Sequence, residues 1–256
     1  MFLTPRHAEI IEQAKRDGRV QVETLAEHFQ VTPQTIRKDL NELCKRKLLA
    51  RIHGGAVVPS GVENLEYEQR RTIAADEKIA IGKAASRLIP DNSSLVINIG
   101  TTTEAVGDAL DGHTGMMVIT NNINVANRMR VFPSFEVLLA GGIVRSRDGG
   151  IVGEAAVDFI RQFKVDIAVI GCSAIDDDGS LYDFDLREVK VAQAIIENAR
   201  EVILVADSTK FERTAPVRVA HITQVGTFVT DRCTSDNIRA ICADEGLLLV
   251  ETSPEA

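Results

Sequence analysis

The 256-residue sequence contains no apolar run of the about 18 residues that a membrane-spanning helix needs. Residues 1–6 carry no apolar stretch of the kind found in signal peptides. Proline and glycine, with 7 and 18 residues, are too scarce for a disordered or collagen-like chain, whereas 45% apolar residues suffice for a packed core. We therefore expect a globular, cytoplasmic protein that has no membrane partner.

Cysteine is also scarce. The four cysteines lie far apart without paired spacing, and they are Cys44, Cys172, Cys233 and Cys242. This spacing indicates reduced thiols and fits neither a zinc knuckle nor a disulfide framework. The sequence also lacks a G-x-G-x-x-G motif after a strand and a G-x-x-x-x-G-K-[ST] motif, which are the usual fingerprints of dinucleotide and ATP binding. We expect no cofactor.

Patterns typical of metal ligands are absent as well. Residues 176–179 resemble a calcium loop only superficially, because their acidic residues are consecutive rather than alternate and Arg187 stands where the closing glutamate belongs. His113 and His221 each stand alone, as surface or core histidines commonly do. We expect no bound metal.

The net charge of -8 is unusual for a protein that contacts DNA, because phosphate contacts need lysine and arginine. The charge is unevenly distributed, however. Residues 1–58 carry ten basic and seven acidic side chains, a net charge of +3, and the remainder carries -11. A chain of 256 residues also exceeds the usual size of one domain. We therefore expect a small basic domain followed by a larger acidic one.

The basic segment has the pattern of three short helices followed by a hairpin. Apolar residues recur at helical spacing in residues 3–14 and again in residues 22–29. A third helix is predicted to begin after Thr32, which can cap it, with a proline at its first position, and to end at about Arg46. Residues 48–57 are typical of two short strands around a Gly-Gly turn, which would form a wing.

The third helix has an apolar face and a polar face. Ile36, Leu40 and Leu43 can pack on the first two helices, while the opposite face carries the amides and cations that base edges and phosphates require. The candidate DNA-binding residues are Thr32, Gln34, Thr35, Arg37, Lys38 and Asn41, with Arg51 and His53 in the wing. From the spacing alone, a helical subdomain with a solvated polar face remains an equal alternative.

Beyond residue 75, short apolar runs alternate with amphipathic helical segments. The seven runs are residues 95–99, 117–120, 135–140, 166–170, 202–206, 228–230 and 247–250. The amphipathic segments are residues 103–110, 123–130, 186–199 and 236–245. This order is typical of an α/β domain in which a largely parallel sheet is covered by helices on both faces.

Small and polar residues follow five of these runs, at the edge where an open parallel sheet binds its ligands. They are residues 100–103, 120–122, 141–142, 171–173 and 207–210. The N–H groups and threonine hydroxyls of residues 100–103 are the best candidate for a phosphate cradle, and Lys210 can supply the countercharge. Each loop alone fits ordinary turn and cap residues, but five together favour a binding site.

Two stretches, residues 32–40 and 51–56, resemble the helix-turn-helix signature of the DeoR family of bacterial transcriptional regulators. Thr32 and Lys38 stand where family members more often have Ser and Arg, and Asn98 stands where many carry Asp. The tail beyond Phe211 resembles the family only weakly. Similarity to the family's sensor domain is carried by residues 98–106, 120–127, 139–142, 145–155 and 195–200.

The resemblance implies a repressor with a winged helix-turn-helix at residues 1–57, a linker at 58–75, and a sensor domain related to sugar-phosphate isomerases at 76–256. It further implies that a phosphorylated metabolite, foremost sn-glycerol 3-phosphate, lowers the affinity for double-stranded operator DNA. The effector-binding residues are then Gly100, Thr101, Thr102, Thr103, Asn121, Gly141, Gly142, Arg145, Asp207 and Lys210. Because such regulators bind paired half-sites, a dimer or tetramer is expected.

An enzyme is the competing hypothesis, since the sensor domain resembles isomerases. A sugar-phosphate isomerase or deaminase would use Asp207 or Glu188 as its general base, within hydrogen-bond reach of the proton that it removes. The sequence offers no paired acid and base for such a reaction. Ligand contacts are therefore the simpler interpretation of Asp207 and Lys210.

Overall fold

The computed structural model describes residues 4–17, 19–46, 48–52, 54–57 and 67–252. The chain divides into two compact units, Met1–Gly61 and Val62–Ala256. The elements of the first unit are α1 (Pro5–Asp17), β1 (Arg19–Gln21), α2 (Val22–His28), α3 (Pro33–Lys45), β2 (Ala50–Ile52) and β3 (Gly55–Val57). The three helices and the hairpin that the sequence predicts are therefore present.

Helix α3 begins where its sequence predicts. The backbone N–H of Thr35 donates to Thr32 Oγ1 over 3.3 Å, so Thr32 caps the helix, and the following proline occupies its first turn. Ile36, Leu40 and Leu43 are fully buried against apolar residues of the other elements. This small core further contains Ile10, Ala14, Val20, Val22, Leu25, Ala26, Leu49 and Ala56.

The wing contains one strand more than the sequence predicts. Strands β2 and β3 pair antiparallel, and β1 pairs with the other edge of β3, which gives the order β1-β3-β2. A Cβ atom on Gly55 would lie 2.0 Å from the carbonyl oxygen of Val20, so only glycine permits this close approach of β1 and β3. His53 lies outside the described residues.

The second unit is an α/β domain. Its elements up to residue 160 are α4 (Tyr67–Thr72), α5 (Ala75–Ser86), β4 (Ser94–Ile97), α6 (Thr101–Asp108), β5 (Met117–Thr120), α7 (Ile123–Met129), β6 (Glu136–Leu139), β7 (Ile143–Val144), β8 (Ile151–Val152) and α8 (Glu154–Ile160). The later elements are β9 (Val165–Ile170), β10 (Ala174–Ile175), β11 (Ser180–Asp183), α9 (Leu186–Glu197), β12 (Ala199–Val205), β13 (Val217–His221), β14 (Thr227–Thr230), α10 (Asp236–Asp244) and β15 (Leu248–Glu251).

The seven predicted apolar runs form one parallel sheet in the order β15-β14-β12-β9-β4-β5-β6, which confirms the α/β fold class. Strand β9 shows why these runs are continuously apolar. Ile167 and Val169 pack into the core on one face of the sheet, and Ala168 and Ile170 pack into the core on the other. Helices cover both faces, so a central strand such as β9 needs apolar side chains on both of its faces.

Residues 67–75 differ from the sequence prediction, which assigns them to a linker. Tyr67–Thr72 form helix α4, and its side chains contact the α/β domain to which they belong. The sequence of α4 is polar throughout, so that no apolar stripe indicates a packed helix. Within the described part of the chain, no helix is long and apolar enough to cross a membrane.

Candidate functional sites

The polar face of α3 is exposed as the sequence predicts. Gln34, Arg37, Lys38 and Asn41 are exposed, Thr35 is half-buried, and the Thr32 hydroxyl lies 3.0 Å from that of Thr35. The amides and cations therefore point away from the core, in the arrangement that reading a DNA groove requires. The hydroxyls of Thr32 and Thr35 contribute to the N-terminal cap of the helix.

Asp39 anchors the buried face of α3 to α1, and the sequence pattern gave no sign of it. Arg6 Nε donates to Asp39 Oδ2 over 2.7 Å, and His7 Nε2 lies 3.2 Å from Asp39 Oδ1. These contacts raise the pKa of Arg6, chiefly through the hydrogen bond to Asp39. Because charge-assisted bonds are directional, Asp39 fixes the orientation of the exposed face of α3.

Two of the candidate DNA-binding cations have partners within the first unit. Arg37 Nη2 lies 3.6 Å from Glu23 Oε1, and both side chains are exposed. Arg51 Nη1 donates to the carbonyl oxygen of Gly55 over 2.8 Å, so it braces the turn of the wing. Exposed ion pairs are weak, so that Arg37 can exchange Glu23 for a phosphate or a base at little cost.

A narrow pocket lies at the carboxyl ends of the adjacent strands β12, β9 and β4. Five of the predicted effector-binding residues line it, namely Gly100, Thr101, Thr102, Thr103 and Lys210. The loop after β9 contributes Cys172 and Ser173, and distant elements contribute the side chains of Arg70, Asp183 and Glu188. An open parallel sheet is expected to bind its ligand at such a position.

The loop before α6 is shaped by a glycine and a threonine. Gly100 has φ of +154°, and a Cβ atom there would lie 3.1 Å from Thr103 Oγ1. The hydroxyl of Thr103 faces the carbonyl oxygens of Asn98 and Gly100 at 2.7 and 2.8 Å, so it supports the loop. The side chain of Asn98 accepts from the N–H of Ile99 over 2.7 Å. The first N–H groups of α6 have no intrahelical partner and can receive an anion.

Basic side chains surround this helix N-terminus. Arg70 and Lys210 line the pocket, and Lys78 and Arg213 lie close enough to repel them electrostatically. Burial lowers the pKa of Lys78 to about 8, and it also lowers the pKa values of Lys210 and Arg213. Crowded, desolvated cations of this kind are stabilised when an anion binds between them.

Asp207 is fully buried behind the pocket and does not line it. Its Oδ2 atom lies 3.9 Å from Lys210 Nζ and 4.0 Å from Lys78 Nζ. Its Oδ1 atom accepts from the N–H of Thr209 over 3.2 Å. No described residue donates a hydrogen bond to Asp207 Oδ2. Asp207 is thus the shared counterion of two lysines, and its direct contact with a ligand stays a prediction.

Arg145 also lies behind the pocket. It donates through Nε and Nη2 to Asp148 over 2.8 and 2.7 Å, and its Nη1 lies 3.2 Å from Asp185 Oδ2 and 2.6 Å from Glu188 Oε2. Arg70 contacts the same Asp148 over 3.2 Å. Arg145 therefore holds Glu188 of the pocket lining, and its direct contact with an effector stays a prediction.

The remaining predicted effector-binding residues do not line the pocket either. Asn121 is fully buried, and its Nδ2 atom donates to the carbonyl oxygen of Ile151 over 3.2 Å. Gly141 and Gly142 lie exposed between β6 and β7. The strands β5 and β6 that precede these residues stand at the end of the sheet, beyond β4, and the pocket lies on the opposite side of β4.

Two buried carboxylates form one wall of the pocket. Asp183 at the end of β11 accepts through Oδ1 from Ser173 Oγ over 3.0 Å and from the N–H of Phe184 over 2.7 Å. Burial, and next the charge of Asp183, raises the pKa of Glu188 to about 7, against the opposing effect of Arg145. The pocket thus combines a cationic side with an anionic one.

A second buried network joins α4 to α6. Glu104 in the first turn of α6 accepts from Tyr67 over 2.6 Å, from Asn122 over 3.0 Å and from Asn124 over 3.1 Å. Burial and the hydrogen bond to Glu104 raise the pKa of Tyr67. Lys78 Nζ donates to the carbonyl oxygens of Arg70 and Ile73 at the other end of α4. Helix α4 is therefore tied to α6 at one end and to α5 at the other.

The described residues contain no group of three or more His, Cys, Asp or Glu side chains placed to hold a metal ion. The four cysteines are free thiols, three of them buried. Burial raises the pKa of Cys172 in the pocket wall to about 12. This thiol is protonated at neutral pH and acts as a small apolar group.

Comparison with known proteins accounts for both units. Residues 6–62 match the DeoR-like helix-turn-helix domain, and residues 73–232 match the DeoR C terminal sensor domain. The glycerol-3-phosphate regulon repressor of Escherichia coli (strain K12) is 47% identical over 249 residues, which cover 97% of this chain and 99% of that protein. The protein of the same description from Haemophilus influenzae is 47% identical over 220 residues, 86% of either chain. Among solved structures, ribose 5 phosphate isomerase A from Neisseria gonorrhoeae shares 12% identity over 52% of either chain, with a TM-score of 0.39.

Proposed function

Because the chain belongs to the DeoR family of DNA-binding transcriptional regulators, we propose that it represses the genes of a glycerol-3-phosphate regulon. Helix α3 and the wing bind double-stranded operator DNA. A phosphorylated metabolite, foremost sn-glycerol 3-phosphate, binds the pocket of the α/β domain and lowers that affinity. The observation that carries the effector proposal is the convergence of Arg70, Lys210 and the N-terminus of α6 on one pocket.

The DNA-binding part of the proposal is supported by the exposed face of α3. Gln34 and Asn41 have the donor and acceptor groups that pair with adenine, and Arg37 has those that pair with guanine. Lys38 suits a phosphate contact. Paired operator half-sites would require a second copy of the chain, so the repressor acts as a dimer or tetramer.

The phosphate-binding part is supported by the charge around α6. The N–H groups of Thr101, Thr102 and Thr103 stand at a helix N-terminus, where the helix dipole favours an anion. Lys210 and Arg70 can donate to the same anion from two sides. A phosphate would thereby relieve the repulsion among four neighbouring basic side chains.

Helix α4 connects the pocket to the DNA-binding unit in this proposal. Residues 58–66 lead from the wing to α4 along the chain, and α4 supplies Arg70 to the pocket. A phosphate that attracts Arg70 and Lys210 competes with Asp148 and Asp207, which now hold them. Phosphate binding then changes the contacts that hold α4 in place. A typical coupling free energy of about 1 to 3 kcal/mol between two binding sites changes the affinity for DNA by about 5- to 150-fold.

The isomerase or deaminase hypothesis is not favoured, because the chain is a regulator rather than an enzyme. The pKa of Glu188, near 7, would suit a general base. Its Oε2 atom is bound to Arg145, however, and Asp207 does not reach the pocket lining. Both carboxylates are therefore interpreted as binding and supporting groups.

The proposal is tested with the full chain and a random duplex library. DNA selected by the protein is labelled, and its release is followed by fluorescence anisotropy as sn-glycerol 3-phosphate, inorganic phosphate or other sugar phosphates are added. We expect sn-glycerol 3-phosphate to release the DNA and Lys210→Met to abolish that release while it leaves DNA affinity unchanged. Lys190→Met, which removes an exposed lysine of α9, is the matched control.

Two results would overturn the proposal. One is a selection that yields no preferred sequence, which removes the repressor function. The other is DNA that stays bound at saturating concentrations of every phosphorylated metabolite tested, which removes the effector function while it leaves the repressor intact.

A further inference from the structure

Two carboxylates line the pocket together with its basic groups. Asp183 and Glu188 are both 8% exposed, and they lie close enough for the charge of Asp183 to raise the pKa of Glu188. Two carboxylates buried together are costly unless partners compensate them. Their position beside an anion-binding helix N-terminus therefore calls for a functional explanation.

Each carboxylate has one oxygen engaged and one oxygen available. Asp183 Oδ1 accepts from Ser173 and Phe184, and Glu188 Oε2 is bound to Arg145 at 2.6 Å. No described residue donates to Asp183 Oδ2 or to Glu188 Oε1, although both side chains line the pocket. An ionised carboxylate only accepts hydrogen bonds, so that a ligand group beside these oxygens must be a donor.

We propose that Asp183 and Glu188 determine the chemical class of the effector. The pocket accepts monophosphates whose other polar groups are uncharged hydroxyls, and it excludes metabolites that carry a carboxylate or a second phosphate at that end. This inference rests on the proposed function, because the phosphate must be held by the N-terminus of α6 and Lys210. It goes beyond that function by assigning selectivity to these two carboxylates.

The physical basis is the difference between a donor and an anion at the same position. A hydroxyl donates to the available carboxylate oxygens and pairs them, whereas a ligand carboxylate brings a third negative charge into a desolvated site and donates nothing. Sites built to bind a hydroxyl reject analogues that lack it by large factors, about 10⁴ in favourable cases. Repulsion between the pocket carboxylates and a ligand carboxylate adds to this discrimination.

The charges that face Glu188 come from several elements. Arg145 contacts it directly, Asp183 and Asp148 repel it, and Asp185 shares Arg145 with it. Arg70 and Lys210 line the same pocket. The pKa of Glu188 near 7 means that this side chain gains a proton between pH 8 and pH 6. Discrimination against a carboxylate must therefore weaken toward pH 6.

The test uses two ligands that differ only at the end remote from the phosphate. In sn-glycerol 3-phosphate a terminal hydroxymethyl group stands where 3-phospho-L-glycerate, which has the same spatial arrangement at C2, has a carboxylate. Affinities of the full chain for both, and for inorganic phosphate, are measured by calorimetry at pH 8. We expect the hydroxyl ligand to bind at least about 100-fold more tightly than the carboxylate ligand.

The variant Asp183→Asn with Glu188→Gln is expected to reduce this ratio to less than about 10-fold. Removing two negative charges strengthens binding of any anion, so the ratio of the two affinities is the relevant quantity. The matched control is Asp158→Asn with Glu154→Gln, which removes two exposed carboxylates from α8 and should leave the ratio unchanged. A near-ultraviolet and far-ultraviolet circular dichroism spectrum verifies that each variant is folded.

Failure of the inference and failure of the proposed function give different results. If phosphate and both ligands bind equally well to the wild-type chain, the anion site stands and the selectivity proposal is overturned. If none of the three binds, the selectivity proposal and the glycerol-3-phosphate part of the proposed function are both overturned, and the repressor function is unaffected. If the double variant does not fold, the ratio of the affinities for the hydroxyl and carboxylate ligands is measured for the wild-type chain at pH 6 and at pH 8. A decrease of this ratio by threefold or more toward pH 6 supports the proposal, and an unchanged ratio overturns it.

Discussion

The hydroxyl of Tyr67 donates to Glu104 Oε2 over 2.6 Å, which joins the first turn of α4 to the first turn of α6. Asn124 Nδ2 reaches both groups, at 2.9 Å from the Tyr67 oxygen and 3.1 Å from Glu104 Oε1. The helix that follows the DNA-binding unit is thus bonded to the helix whose N-terminus lines the pocket.

Loss of this hydrogen bond should weaken the α/β domain. Tyr67→Phe removes a donor from the buried carboxylate of Glu104, and hydrogen bonds to charged groups contribute about 1.5 to 3 kcal/mol. We expect the free energy of unfolding, measured in urea, to fall by about 1 to 2 kcal/mol. The control is Tyr182→Phe, because Tyr182 is half-buried and its hydroxyl bonds to no other described residue. Equal effects of the two substitutions would contradict this role of Tyr67.

The anchor of α3 should affect both stability and DNA affinity. Asp39→Asn keeps the shape of the side chain but removes the charge that binds Arg6 and His7. We expect the first unit to lose about 1 to 2 kcal/mol of unfolding free energy and operator affinity to fall at least about fivefold. Glu42→Gln removes a carboxylate from the same helix, where it pairs with Arg46 near the surface, and should cost less than about 0.5 kcal/mol. The prediction fails if Asp39→Asn binds operator as tightly as Glu42→Gln.

Removal of the Arg37 side chain should weaken specific DNA binding without affecting the effector. A base contact of arginine contributes about 1 to 3 kcal/mol, so Arg37→Ala should reduce operator affinity by about 5- to 150-fold in fluorescence anisotropy. Its effect on non-specific DNA should be several-fold smaller. Lys83→Ala removes an exposed cation of α5 and serves as the control for net charge. An equal loss for specific and non-specific DNA would assign Arg37 to phosphate contacts instead.

The stability of the α/β domain should depend on the protonation of Glu188. Its pKa is about 7 in the folded chain and near 4.5 in the unfolded chain, so the folded state binds more protons between these values. Unfolding free energy must therefore decrease as the pH rises from 4.5 to 7. We expect Glu188→Gln to remove on the order of 2 kcal/mol of this decrease between pH 5 and pH 7.5, relative to the wild type. Glu154→Gln, at an exposed position of α8, should retain the full decrease.

The sheet could be predicted from the sequence because each of its strands contains a short apolar run, and the central strands are buried on both faces. Strands β7, β8 and β10 could not, since two residues each leave no periodicity to detect. Helix α4 was missed for a different reason. Its contacts are hydrogen bonds and ion pairs of Tyr67 and Arg70, and a polar hexapeptide resembles a linker.

The residues of the candidate pocket likewise divide into those that the sequence could predict and those that it could not. Residues 100–103 and Lys210 follow strands directly, so strand ends were enough to find them. Arg70, Asp183 and Glu188 reach the pocket from α4, β11 and α9, and no local pattern connects those elements. Arg145 was predicted to bind the effector because the resemblance to the DeoR-family sensor domain implied it. Only the fold shows the three carboxylates that surround it.

Asp148 holds both Arg70, which lines the pocket beside Lys210, and Arg145, the partner of Glu188. In the proposed function, the affinity for phosphate and the selectivity for the rest of the effector therefore both depend on this one buried side chain. Substitutions at Asp148 would alter both together, so new specificities are expected to arise at Asp183 and Glu188, which can change while Asp148 and the phosphate-binding residues stay in place.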